Sequence, residues 1–241
     1  MRKSKVVAVM PAYNAAKTIK KTVLDIPRGS VDKILVVDDG SYDNTVKVAK
    51  GMGLEAVVHP QNRGYGGNQK TCYTLALSQG ATVVVMIHPD YQYDSSLTKE
   101  LVRPILEGRS DVMLGSRIRT REEVLRGGMP VWKYLGNRFL TFLENLVLGQ
   151  NLSEYHTGFR AFSGSILRTL PFHKYSDDFV FDQQILFGAI AARARVGEIP
   201  VPVRYFPEAS SINPLRSVIY GVSILRDLFI YIVSSGKAFL K

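Results

Sequence analysis

Val83-Val84-Val85-Met86-Ile87-His88-Pro89-Asp90-Tyr91-Gln92-Tyr93-Asp94 sets the frame for this chain. Its apolar run has no alternation, as expected of a strand covered on both faces by helices. Within a few residues it breaks into a histidine, a proline, carboxylates and an amide. Proline ends the strand, and the polar groups fall where a parallel sheet binds its ligands, just beyond the carboxyl end of a strand.

The same pattern recurs along the chain. Val6 to Met10, Ile34 to Val37, Ala56 to Val58 and Val112 to Leu114 are short apolar runs, and Gly197 to Arg204 has a later strand pattern. Helical spacing lies between them: Ile19, Val23 and Leu24; Cys72, Leu75, Ala76 and Gln79; Leu97, Leu101, Val102 and Ile105. Strand and helix alternate through the first half, which predicts a mainly parallel sheet built by right-handed crossovers. The second half is less regular, with a helix from about Val131 to Leu148, a polar stretch from Ser153 to Arg160 and a helix from about Phe179 to Ala192.

Bulk properties narrow the partners. At 241 residues the chain can build one large α/β domain, and 46 % hydrophobic with 22 % charged residues is ordinary for a globular protein and gives no hint of disorder. The formal charge of +10 points to anionic partners such as nucleotide phosphates, nucleic acid or an anionic lipid surface. Cys72 is the only cysteine, so no disulfide framework or cysteine metal site is expected, and a reducing, cytoplasmic setting is the default. Val6 to Met10 is too short for a signal-peptide core. Arg226 and Asp227 interrupt the apolar segment from Ser217 to Val233, so no transmembrane span is predicted.

The strand ends supply the candidate residues. Asp38-Asp39-Gly40-Ser41 suits a capped turn, and equally a carboxylate that accepts from a base or ribose hydroxyl. Asn62-Arg63-Gly64-Tyr65-Gly66-Gly67-Asn68-Gln69-Lys70 is a glycine-rich turn into a helix, whose N-terminus and cations suit phosphate. It has neither a Walker nor a GxGxxG pattern, which weakens ATPase and dehydrogenase readings. His88, Asp90 and Gln92 alternate along an extended continuation of the strand and so share one side. Oxygen donors of this kind suit a divalent ion completed by substrate phosphates, and a histidine fits manganese better than magnesium. Glu154-Tyr155-His156-Thr157-Gly158-Phe159-Arg160 and the Asp182 in Phe181-Asp182-Gln183-Gln184 place further polar groups among apolar ones, where a carboxylate needs a partner or a task.

Taken together, Pro11-Ala12-Tyr13-Asn14, Val36-Val37-Asp38-Asp39-Gly40-Ser41, Asn62-Arg63-Gly64, Asp90-Tyr91-Gln92, Gly115-Ser116-Arg117 and Thr157-Gly158-Phe159-Arg160 resemble the family-2 glycosyltransferases of GT-A fold. The likeness is strongest to the dolichyl- or polyprenyl-phosphate sugar synthase branch, and it spans roughly residues 5–210. It implies a Rossmann-like three-layer α/β/α sandwich, placed over residues 1–213, and helical periodicity predicts a C-terminal amphipathic tail over 214–241. The implied reaction is inverting transfer of mannose or glucose from a GDP- or UDP-linked donor to a polyprenyl phosphate or another membrane-associated acceptor.

The resemblance also implies roles. Pro11, Ala12, Tyr13, Asn14, Val37, Asp38, Asp39, Asn62, Gly64, Lys70 and Pro89 would serve the nucleotide-sugar. Asp90 and Gln92, with His88, would hold Mn2+ or Mg2+, and Arg117 would meet phosphate or acceptor. Glu154 and Asp182 are candidates for a general base, which a lipid phosphate would not need but a sugar hydroxyl would. Three departures stand out: His88 occupies a position usually held by Asp, Ala15 replaces an acid, and Arg204 to Ser211 only partly matches the basic lipid-phosphate motif. Leu215, Val218, Ile219, Val222, Leu225 and Phe229 form a helical stripe with Arg216 and Arg226 among them, which can lie on an anionic membrane surface or pack against the protein or a second copy. The competing readings are a non-catalytic nucleotide-sugar binder and a sugar-phosphate nucleotidyltransferase. Nucleic acid is not expected as a partner, because aligned carboxylates repel phosphates.

Overall fold

The structure is a computed structural model that describes residues 4–118, 120–202 and 214–241. The expected motif at Arg204 to Ser211 lies outside the described residues. The strands are β1 (Val6–Ala12), β2 (Lys33–Asp38), β3 (Glu55–Val58), β4 (Val83–Met86), β5 (Val112–Ser116), β6 (Arg160–Ser163) and β7 (Val196–Pro200). They form one sheet in the order β3-β2-β1-β4-β6-β5-β7. Every pairing is parallel except those of β6, which runs antiparallel to both β4 and β5. The mostly parallel α/β sheet of the sequence reading is present, with one strand, β6, that the reading did not assign.

Alternation along β1 divides the core. Val7 and Val9 face one cluster and Val6, Ala8 and Met10 the other, and β4 repeats this with Val84 and Met86 against Val83 and Val85. Helices α1 (Ile19–Asp25), α2 (Thr45–Gly51) and α4 (Thr98–Leu106) cover one face. Helix α3 (Tyr65–Ser78) covers the other, with α7 (Gly164–Thr169) and α8 (Phe181–Ala191). Leu24 is outside this core at 68 % exposure, because the buried stripe of α1 runs through Ile19 and Thr22 instead. Short α5 (Arg121–Arg126) precedes α6 (Val131–Leu148), whose bounds match the sequence reading.

Helix α9 (Pro214–Ser234) packs on α6 and α8 through Ile224, Asp227 and Leu228. The carboxylate of Asp227 accepts from Gln184 of α8 at 2.8 Å, so a charge that looked like a break in an apolar segment is an anchor. By length and composition alone, Leu215–Ser234 could cross a membrane, which the sequence reading had denied it.

The glycine-rich turn at the start of α3 has a different task from the one expected. The N–H groups of Gly66 and Gly67 both donate to the Asp177 carbonyl, at 2.7 and 3.3 Å, so this helix end is capped by the chain itself rather than offered to phosphate. A Cβ on Gly66 would lie 2.4 Å from the Ser176 carbonyl oxygen and 2.7 Å from Cβ of Phe181. Gly66→Ala therefore forces backbone apart, and a loss of about 1–3 kcal/mol is expected in urea unfolding. Unchanged stability would mean that the 176–177 segment yields freely.

Candidate active site

The carboxyl ends of β1, β2, β4 and β5 meet at one edge, as the sequence reading required. Parallel pairing sets Ala12 beside Asp38. The next residue, Asp39, donates its N–H to the Ala12 carbonyl at 2.8 Å. Here the two adjacent aspartates separate in role. Asp38 is fully buried, and its carboxylate accepts from the backbone N–H and hydroxyl of Ser41 at 2.9 and 2.5 Å. The carboxylate of Asp39 accepts from His59 Nδ1 at 2.7 Å and from the N–H groups of Arg63 and Gly64 at 2.9 and 3.1 Å.

Several residues expected at the nucleotide make contacts within the chain. Asp38 caps its own turn, and the Val37 side chain is wholly within the core. Lys70 turns away from the edge, because its ammonium is held by the Tyr175 carbonyl and by Asp177, at 2.7 Å for the latter. Asn62 braces the loop by donating to the Asp39 carbonyl and accepting from the Gly64 N–H. Gly64 sits at φ +85°, with Asp177 O 2.7 Å from where a Cβ would lie. Pro89 is buried. What faces solvent at this edge is Pro11 in part, Tyr13 and Asn14, with Tyr42 beside them. The Tyr13 and Tyr42 rings meet edge to face at 5.6 Å. Asn14, at φ 52°, accepts from the Tyr42 N–H, so the β1 loop is pinned to the β2 loop.

Beyond β4 the chain does not continue extended. Tyr91 has a φ of 62°, and this left-handed residue turns the segment so that His88, Asp90 and Gln92 line one cavity of about 650 Å³. Sharing a side was read correctly, but by the wrong geometry. Asp90 and Gln92 are buried, and the Gln92 N–H donates to Asp90 Oδ1 at 3.0 Å. Among the described residues no cluster of three His, Cys, Asp or Glu side chains surrounds a common point. One carboxylate with an amide oxygen still fits a hard divalent ion, which takes the rest of its shell from water and substrate phosphate.

His88 is placed by its neighbours. Its ring lies parallel to that of Tyr65, and a Cβ on Gly158 would be 2.7 Å from it, so glycine is what admits the imidazole. Tyr65 donates its hydroxyl proton to Asp182 at 2.8 Å, so its oxygen can only accept from His88 Nε2, 3.2 Å away. Nε2 therefore carries a proton. Burial lowers the pKa of the imidazole, against the opposing pull of Asp90 and Asp182.

Arg117, just after β5, is buried and clamped by Glu154. Its Nε and Nη2 reach Glu154 Oε1, its backbone N–H donates to Oε2 at 2.7 Å, and Nη2 also donates to the His156 carbonyl at 2.6 Å. Asn137 of α6 adds a fourth donor to the same carboxylate at 2.8 Å. Burial raises the Glu154 pKa, but the Arg117 charge and hydrogen bonds more than reverse this and hold it below the usual carboxylate range. Glu154, expected as a candidate general base, is here committed to Arg117 and Asn137. Asp182 does reach the cavity, with its oxygens held by Tyr65 and Gln69.

Sequence reasoning missed α6 and α9 as walls. Trp132, Lys133, Gly136 and Phe139 of α6 and Val218, Tyr220, Val222 and Leu225 of α9 line the same cavity as Asp90 and Arg117. The stripe on α9 was visible in the sequence, but not which helix it would face. The remaining members of the Thr157–Arg160 motif are scaffold. Thr157 donates to the Gly115 carbonyl at 2.6 Å, and the fully buried Arg160 donates to the carbonyls of Tyr155, Thr157 and Asp182.

A mostly parallel sheet with buried carboxylates and a clamped arginine gathered at its strand ends is the architecture of a GT-A fold. The chain belongs to glycosyl transferase family 2, whose sequence profile matches residues 7–170. It is similar to a UDP-N-acetylglucosamine–dolichyl-phosphate N-acetylglucosaminyltransferase of Methanococcus voltae, with 30 % identity over 214 residues, covering 82 % of this chain and 84 % of that protein. It also resembles glycosyltransferase AglJ of Haloferax volcanii, at 26 % identity over 86 % of this chain and 66 % of that one. In fold it matches glucosyl-3-phosphoglycerate synthase of Mycobacterium tuberculosis, crystallised with Mn2+ and UDP-glucose. The TM-score is 0.70 at 19 % identity, covering 97 % of this chain and 79 % of that one.

Proposed function

We propose that this family-2 transferase moves a hexose or N-acetylhexosamine, with inversion, from a UDP-linked donor to a lipid phosphate. The observation that carries the reading is the composition of the cavity. Asp90, Gln92, Arg117 and Asp182 meet there with the apolar walls of α6 and α9. A site for a phosphate joined to a hydrocarbon chain needs both. The Methanococcus voltae relative is named for a UDP-linked donor and a dolichyl-phosphate acceptor, which favours UDP over GDP-mannose.

In this reading Tyr13 and Asn14 border the base and ribose, and Asp39 shapes the shelf from beneath. Asp90 and Gln92 would hold Mn2+ or Mg2+, with His88 beside them as a further candidate ligand. When bound, such an ion supplies charge neutralisation for the departing diphosphate. A phosphate oxygen of the acceptor attacks the anomeric carbon, the bond from that carbon to the UDP β-phosphate oxygen breaks, and the configuration inverts. The attacking oxygen is already anionic, so neither Glu154 nor Asp182 has to remove a proton. Arg117 faces the developing charge.

We assign residues 1–213 to catalysis and 214–241 to a tail that completes the acceptor groove. Away from the cavity, α6 exposes Leu135, Phe142 and Leu146 while α9 exposes Leu215 and Ile219, an apolar face suited to the cytoplasmic surface of a membrane. The test supplies radiolabelled UDP-sugars and polyprenyl phosphate in anionic vesicles with Mn2+. Sugar should appear in the lipid fraction, and the fluorescence of Trp132, the only tryptophan, should shift to the blue on vesicle addition. Transfer to a water-soluble acceptor alone would reject the lipid assignment. A dimer that ignores vesicles would give the apolar face to a second copy.

A further inference from the structure

Glu144 of α6 is an acid with no task in the reaction above. It is fully buried, its oxygens have no hydrogen-bond partner among the described residues, and His156 Nε2 lies 3.2 Å from Oε2. On the opposite edge of that ring, Nδ1 lies 2.9 Å from Nε2 of Gln183 and 3.3 Å from the hydroxyl of Tyr220. Gln183 Nε2 also faces the Tyr155 carbonyl at 3.3 Å, which fixes it as the NH2 group, and it donates to the Tyr220 oxygen at 2.7 Å. Nδ1 therefore faces donors and must accept, so the ring proton resides on Nε2, toward Glu144.

With Nδ1 facing Gln183 and Tyr220 and Nε2 facing Glu144, His156 has no nitrogen turned to substrate and cannot serve as a base. What it does offer is its backbone carbonyl, which holds Arg117 Nη2 at 2.6 Å. Its ring meets α6 through Glu144, α8 through Gln183 and α9 through Tyr220. We propose that Glu144, His156 and Tyr220 act as one positioning unit for Arg117, fixing the two walls of the acceptor groove to the cation on its floor. Burial agrees with a neutral pair, holding the Glu144 carboxyl well above its usual range and pushing His156 down to about 3.

The functional arm rests on the lipid-phosphate reading, and the structural arm does not. In the full chain, 15N NMR of His156 should show a neutral imidazole protonated at Nε2 throughout the neutral range. Tyr220→Phe should move the Arg117 Nε–H resonance, although these residues share no bond. In the transfer assay, Glu144→Leu and Tyr220→Phe should each lower kcat by roughly tenfold, the scale expected when a charged group is misplaced. UDP affinity in the presence of Mn2+ and Tm should stay near wild type, and Glu144→Gln, which keeps an oxygen toward Nε2–H, should recover most of kcat. A proton on Nδ1, or titration of His156 in the neutral range, would overturn the proposal. So would variants that lose Tm while keeping kcat, since that pattern belongs to packing alone. If the wild type transfers nothing to polyprenyl phosphate, the acceptor reading fails, while the NMR arm still decides for or against the unit.

Discussion

Asp90→Asn is expected to lower sugar transfer roughly a thousandfold, about 4 kcal/mol in the barrier, while leaving the fold intact. Structure and chemistry separate cleanly at this residue. Its structural bond is Oδ1 accepting the Gln92 N–H, and an asparagine carbonyl oxygen can keep it. What the amide removes is the negative charge, and no second carboxylate stands ready: His88 takes the neighbouring position and Asp182 is held by Tyr65 and Gln69. Thermal shift should show UDP stabilising the wild type more in Mn2+ than without it, and that increment should vanish in the variant. Full transfer by Asp90→Asn would move the diphosphate site away from this turn.

How far the sequence led depended on the range of the interaction. The strand ends were legible because a run such as Val83 to Ile87 must be buried on both faces, and the residues past its end must be polar. Helix α6 was legible to the residue, since its eighteen positions repeat one periodicity. Strand β6 was not, because Arg160–Ser163 is only four residues long and its sheet position comes from antiparallel partners at Met86 and Leu114. The same limit governed the carboxylates. Asp38 and Asp39 are adjacent and chemically alike, and only the arrival of His59, Arg63 and Gly64 makes them differ. For Lys70 the decisive neighbours lie more than a hundred residues away, in the 175–177 loop.

Glu154→Gln should be the most destabilising conservative change in the site, by about 3–5 kcal/mol, because it leaves Arg117 buried without its counter-charge. The geometry sharpens the expectation: Oε1 faces Arg117 Nε, Arg117 Nη2 and Asn137 Nδ2, and Oε2 faces the Arg117 N–H. Wherever a glutamine NH2 is placed, it meets a donor. The sign with pH comes from the depressed folded pKa of Glu154. Its stabilisation is complete above the unfolded carboxylate value near ~4.3 and is lost as pH falls through the lower folded value. Urea unfolding should thus show the gap between wild type and Glu154→Gln widest at neutral pH and closing in acid. A double variant, Arg117→Met with Glu154→Leu, removes both charges and should recover much of the stability. It should remain inactive, since the guanidinium we propose at the acceptor is gone. Recovery of stability together with activity would show that the pair serves the fold and not the reaction.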